Sequence, residues 1–209
     1  MRLLKGVGHW VLIIIPMAAL VGSAAALFLW LLAWATTSHS QMPWLLYLLP
    51  LAGAVIAAMY LWVGRGADAG NNLIMDSITA HGQDDSSVVV PGRLAPLILV
   101  ATLISHFFGA SVGREGTAVQ MGGAIAARFG RLLKLKAADT RILLLAGISA
   151  GFGGVFGTPL AAAVFALEVL AIGSIQYEAI LPCLLAGIVA NWVSLAWGTH
   201  HAVRTLPAG

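Results

Sequence analysis

The chain has 209 residues, of which 60% are hydrophobic and 9% charged, against about 25% charged in an ordinary soluble domain. So few charges cannot cover a water-soluble fold. The net charge of +3 would suggest nucleic acid in a soluble protein, but here the basic residues follow membrane topology, and no nucleic-acid partner is expected.

From Gly6 through Gly64 there is no Asp, Glu, Lys or Arg, and a bilayer-spanning helix needs about 20 residues. That stretch predicts two spans, Trp10 to Trp34 and Trp44 to Val63, separated by the polar run Thr36 to Gln41 and by Pro43. The result is a helical hairpin in lipid. Arg2 and Lys5 ahead of an apolar run resemble the start of a secretory signal, but the apolar core of a signal spans only about 7–15 residues. A retained span is therefore expected. Arg2, Lys5 and Arg65 flank the hairpin and residues 36–43 carry no Lys or Arg, which places the N-terminus in the cytoplasm of a multi-pass cell-membrane protein. The basic cluster Arg128, Arg131, Lys134, Lys136 and Arg141 prefers the same side or anionic headgroups.

After Arg65 the apolar run breaks at Ala67 to Asn72, including Asp68, and the segment Leu73 to Thr79 is too short to span. The polar loop His81 to Ser87, with Asp84 and Asp85 in solvent, leads through Pro91 to a third apolar stretch, Leu94 to Gly109. A motif over Ser111 to Thr117 follows, then a fourth stretch to about Leu133 with Gly122, Gly123, Ala126 and Ala127 in its middle, residues that permit close helix packing. The fifth region, Ile142 to Leu167, is interrupted by Gly147, Gly151, Gly153, Gly154, Gly157 and Pro159. It reads as two helices with a broken middle, because glycine and proline both weaken helix. A last span covers Ala179 to Trp197, and the single Cys183 within it reads as a small core residue. The expected fold is all-α: a polytopic membrane protein with tilted and broken helices, residues 1–209 forming a single transmembrane domain. Transporters build ion sites from such discontinuous helices, whose N-termini carry partial positive charge.

Glu115 is the leading site candidate. It stands between apolar stretches, framed by Gly113 and Gly116, and ionisable groups at membrane depth mark functional sites. A local ion pair with Arg114 is geometrically poor, because adjacent helical residues do not face each other.

The run Ser111-Val112-Gly113-Arg114-Glu115-Gly116-Thr117 through Gly123, and the run Ala146 to Glu168 with Gly-Thr-Pro at its centre, resemble in order and spacing two signatures of the CLC chloride channels and proton-coupled antiporters. The resemblance covers roughly Gly70 to Ala196. It implies that Glu115 is the external gating glutamate, whose carboxylate competes with anions and accepts protons, and that Gly113, Arg114, Gly116 and Thr117 line an anion site. It further implies one half of an inverted-repeat fold, with dimer contacts over Pro159 to Leu170 and Ala179 to Trp197.

Three departures from the usual family pattern bear on the substrate. Thr117 stands where most members have proline, and Asn71, in Gly70-Asn71-Asn72-Leu73-Ile74, stands where chloride-handling members have an anion-binding serine. Both resemble the fluoride-selective branch. Val169 stands where chloride/proton exchangers carry an inner glutamate, so their usual inner relay is missing. On residue type alone Asn71 and Asn72 could equally cap the next helix, and Glu168 could be a relay or an interfacial carboxylate. The expected function is proton-coupled fluoride export gated by Glu115, with fluoride or chloride and protons as the transported species. The expected partners are the bilayer and a C-terminal half or a second copy. A chloride-conducting or chloride-exchanging protein and an inactive truncated fragment are the alternatives. No catalytic triad, phosphate loop or carboxylate pair is present, so no enzyme is expected. His9, His39, His81, His106, His200 and His201 show no metal spacing, and no metal or cofactor is expected.

Overall fold

A computed structural model describes residues 2–67, 69–83, 88–169 and 176–199. Asp68, Asp84, Asp85, Leu170, His200 and His201 lie outside the described residues. The elements among the described residues are α1 (Arg2–Gln41), a 3-10 helix (Pro43–Leu48), α2 (Leu49–Trp62), α3 (Asn71–Gly82), α4 (Leu94–Phe107), α5 (Glu115–Leu132), α6 (Ala137–Phe156), α7 (Pro159–Glu168) and α8 (Tyr177–Ala196). The fold is all-helical, as expected.

Among the described residues, four segments are long and apolar enough to cross a membrane: Trp10–Gln41, Pro43–Trp62, Ala137–Phe156 and Tyr177–Ala196. Others are too short. At about 1.5 Å per residue, the 12 residues of α3 and the 10 of α7 reach well under the roughly 30 Å of a hydrocarbon core.

Two boundaries differ from the sequence reading. The run Thr36 to Gln41 is the last turn and a half of α1 rather than a loop, because its hydroxyls return to the helix itself. Thr36 Oγ1 donates to the Leu32 carbonyl at 2.9 Å, and Ser40 Oγ donates to the Thr37 carbonyl at 2.7 Å. The turn comes only at Met42 and Pro43, where the 3-10 helix begins. In the fifth region the glycines at 147, 151, 153 and 154 do not break the helix. They lie inside α6, and the break falls at Gly157, which caps α6 at φ +72°, with Thr158 and Pro159 opening α7.

Those mid-helix glycines instead set how closely the helices approach. A Cβ on Gly122 of α5 would land on the Gly147 carbonyl of α6, and one on Gly151 would land on the Ala118 carbonyl of α5. On the opposite side of α6, a Cβ on Gly153 would stand 2.6 Å from the Gly187 carbonyl of α8. Helix α6 is thus the hub, in backbone contact with both neighbours and buried on every face from Ile142 to Gly151. Such packing suits lipid, where apolar side chains gain little by meeting one another and close van der Waals approach drives association. A polar tie adds to it, Ser149 Oγ donating to the Cys183 carbonyl across α6 and α8 at 2.7 Å. Cys183 is buried and free, in keeping with a core role.

Helix α3 lies on the side of α5 nearest its start. Ile74 fills the notch left by Gly123, its Cδ1 2.9 Å from where a Cβ would be. Helix α4 flanks α5 and packs on α1 and α2.

Substituting Gly122→Ala should lower stability by about 1–3 kcal/mol through overpacking, whereas Gly53→Ala, with nothing within 4 Å of the added methyl, should leave it nearly unchanged. Thermal midpoints of the two variants in detergent would check this. Ser149→Ala should cost about 0.6 kcal/mol, the average for an interhelical hydrogen bond in a membrane, and at most about 1.7 kcal/mol, read in the same assay.

Candidate functional site

Glu115 is the first residue of α5, and Arg114 is its N-cap. The first helical hydrogen bond runs from the Ala118 N–H to the Arg114 carbonyl at 3.0 Å, so the amides of Glu115, Gly116 and Thr117 precede it. Such first-turn N–H groups lack intrahelical partners and carry the positive end of the helix dipole. The Glu115 side chain is exposed and folds back over Gly113, where a Cβ would meet its carboxylate. Glycine at 113 is therefore what leaves room for the carboxylate beside its own helix start.

Gly116 plays the corresponding part for the neighbouring helix. A Cβ there would stand 3.3 Å from Asn71 Nδ2, so the Asn71 amide rests against the first turn of α5. Asn71 is the first residue of α3, and the cap is Gly70, at φ +56° and without any side-chain capping hydrogen bond. The capping alternative for Asn71 and Asn72 therefore does not hold in this fold: neither side chain serves as the cap. Both are exposed at the helix start, and the Asn72 N–H is turned back to the Ala69 carbonyl at 3.1 Å. Two helix N-termini thus meet, with a carboxylate on one and an amide on the other.

The remaining expected residues are placed differently. Arg114 directs its guanidinium over the Phe156 ring, 5.5 Å from the centroid, at the end of α6. A cation held on an aromatic face lends positive potential near the site and is not paired with the adjacent Glu115. Thr117 is 1% exposed, and its hydroxyl is bonded to Thr102 of α4 at 2.7 Å, so only its backbone faces the first turn. Glu168 is half-buried at the far end of α7, next to Val169, on a helix that packs against α6 and α8. It is not among the residues gathered at the starts of α3 and α5. No group of three or more His, Cys, Asp or Glu side chains suited to a metal occurs among the described residues.

Two participants carried no sequence signal. Thr102 precedes Thr117 by a whole loop, and only the fold pairs their hydroxyls. Gln120 lies one helical turn beyond Gly116, 6% exposed, with its Oε1 buried and without a hydrogen-bond partner.

Residues 52–208 match the family model for voltage-gated chloride channels. A "Chloride/fluoride channel protein" from Pseudomonas syringae pv. tomato is 50% identical over 199 residues, covering 95% of this chain and 43% of the relative. An H(+)/Cl(-) exchange transporter of Vibrio campbellii is 30% identical over 80% of this chain and 36% of its own length. Among solved structures, a CLC-type fluoride/proton antiporter superposes with a TM-score of 0.87 at 34% identity, covering 97% of this chain and 50% of that one. A slow cyanobacterial Cl-/H+ antiporter shares the fold at a TM-score of 0.60 and 20% identity. The chain spans about half the length of the relatives it matches. With its helix order, its broken helices and the motif at Glu115, the chain belongs to the voltage-gated chloride channel (CLC) family of multi-pass membrane proteins.

Proposed function

We propose that this chain forms the N-terminal half of an anion transporter that exports fluoride in exchange for protons, Glu115 being the gate. The reading makes it a transporter rather than an enzyme. The observation that carries it is the meeting of the α3 and α5 N-termini, where the Asn71 amide rests against Gly116 beside Glu115. Unpaired N–H groups at two helix starts attract an anion without a full cation, and so leave it free to move on. The Glu115 carboxylate, at the same place, competes for those donors when ionised and gives them up when protonated. One group then links the two ions.

Fluoride is favoured over chloride by the number of donors. A small, strongly hydrated anion needs its lost water replaced by N–H and O–H groups, and Asn71 offers an amide where a serine offers one hydroxyl. Thr117 acts in the same direction. A proline there would have no N–H, whereas threonine keeps one in the first turn and spends its hydroxyl on Thr102. The names of the Pseudomonas relative and of the 34% identical antiporter point the same way.

The facing wall of the path belongs to a C-terminal half of the fold, and α7 and α8 keep apolar side chains exposed, among them Leu160, Val164, Leu181 and Ile188. They suit lipid or a second subunit, and the positive-inside pattern puts the N-terminus in the cytoplasm.

Reconstituted in liposomes with a C-terminal half of the fold, the chain should release fluoride in preference to chloride and move protons the opposite way. In Glu115→Gln, fluoride flux should no longer acidify or alkalise the vesicle lumen. Retained coupling, or chloride flux equal to fluoride flux in the parent protein, would sink this reading. Asn71→Ser should narrow the fluoride-to-chloride ratio by roughly tenfold or more, the worth of one hydrogen bond to a charged group, measured with ion-selective electrodes.

A further inference from the structure

The basic cluster around the end of α5 does not act as one patch in the fold. Arg141 turns away from it, its guanidinium lying against Gly82 at the end of α3, and it shares a separate cavity with Gln176 and Glu178. Arg131 donates to the Val90 carbonyl at 2.7 Å. Arg128, one turn earlier on α5, lies along the segment that leads into α4, its Cδ 3.6 Å from the place a Gly92 Cβ would take. It meets Arg93 there. Pro91, Gly92, Arg93 and Arg128 line an open cleft of about 380 Å³.

Two guanidiniums share this cleft, and no carboxylate lines it among the described residues. Neither is loosely placed. Arg93 donates to the Arg65 carbonyl, Arg128 is packed on Gly92, and Arg131 holds the same segment through Val90. Like charges gathered in this way repel one another until an anion lies between them. The planar fork of arginine suits a phosphate, which accepts two parallel N–H bonds.

The rim of the cleft indicates where that phosphate comes from. Trp62 and Val63, just ahead of Arg65, are exposed, and tryptophan collects at the membrane–water interface. Leu132, also exposed, is four residues from Arg128 and so on the same face of α5. Helix α2, against which α4 packs, shows most of its apolar side chains outward. A phosphate dissolved in water gains nothing from such a rim, whereas a lipid sets its phosphate on the arginines and its chains along the apolar side. The positive-inside pattern puts Arg65 at the cytoplasmic leaflet, which is the one rich in anionic lipid.

We propose that the cleft between Arg93 and Arg128 binds the phosphate of an anionic lipid headgroup and so ties the α2 and α4 edge of the fold to the membrane. The inference does not depend on which anion the protein transports.

The test is the thermal midpoint of the full chain in neutral detergent, titrated with short-chain phosphatidylglycerol and, in separate arms, with phosphatidylcholine of the same chain length and with inorganic phosphate. Phosphatidylglycerol should raise the midpoint saturably, and the other two should not. Arg128→Gln should weaken the apparent affinity for phosphatidylglycerol roughly fivefold, as loss of one arginine at an anionic surface does. Lys136→Gln, which removes the same charge outside the cleft, should leave it unchanged. Arg93→Gln should act as Arg128→Gln does; if loss of its bond to Arg65 unfolds that variant, R128Q decides. A response to inorganic phosphate equal to that of phosphatidylglycerol overturns the lipid assignment. An equal response to phosphatidylcholine, or an equal loss in K136Q and R128Q, overturns the site itself, because apolar contact or net charge then accounts for the binding.

Discussion

Everything in this fold depends on the backbone contact between α5 and α6. Within a bilayer, apolar side chains gain almost nothing by leaving lipid for protein, so helices associate only where their surfaces meet closely. Gly122 against Gly147, and Gly151 against Ala118, bring two main chains into direct contact. Because α6 is also in backbone contact with α8 through Gly153 and Gly187, the three helices form a unit with little freedom to slide. The first turn of α5 inherits that rigidity, and Glu115 is its first residue.

On this base α3 is seated by size rather than by charge. Gly116 and Gly123 are one gap each in the surface of α5, filled by Asn71 and Ile74. The spacing of the gaps fixes the height of α3 and so the position of its N-terminus. A tie between Thr102 and Thr117 on the α4 side holds the same turn from behind. Two helix starts are thereby aimed at one place with no cation between them. Arg114 stays near, its guanidinium held over the face of Phe156. Under the proposed function, such a place, built from helix dipoles and amides, would attract an anion and still release it.

The sequence alone made much of this legible. Charge depletion named the solvent, segment lengths gave the helices, and the glycine frame singled out Glu115. Other readings failed for identifiable reasons. Hydroxyl-rich residues 36–41 look like a loop by composition, yet in a long helix their side chains bond to carbonyls of the preceding turn and the helix continues. Glycines in α6 look like helix breakers, yet against a facing backbone they are what permits contact, and the helix is kept by its neighbours.

What the sequence determined by itself was the medium, the set of spanning and short helices, and the carboxylate that stands at a helix start. These follow from local composition and periodicity, which each segment carries on its own. The tertiary structure alone decided which residues face one another. It left Asn71 without a capping hydrogen bond and set its amide against Gly116, tied the Thr117 hydroxyl to Thr102, and set the Gln120 amide against Gly70. Such pairings join residues on different helices, and their cause is the fit of side chains into gaps on a neighbouring surface, which no local pattern encodes.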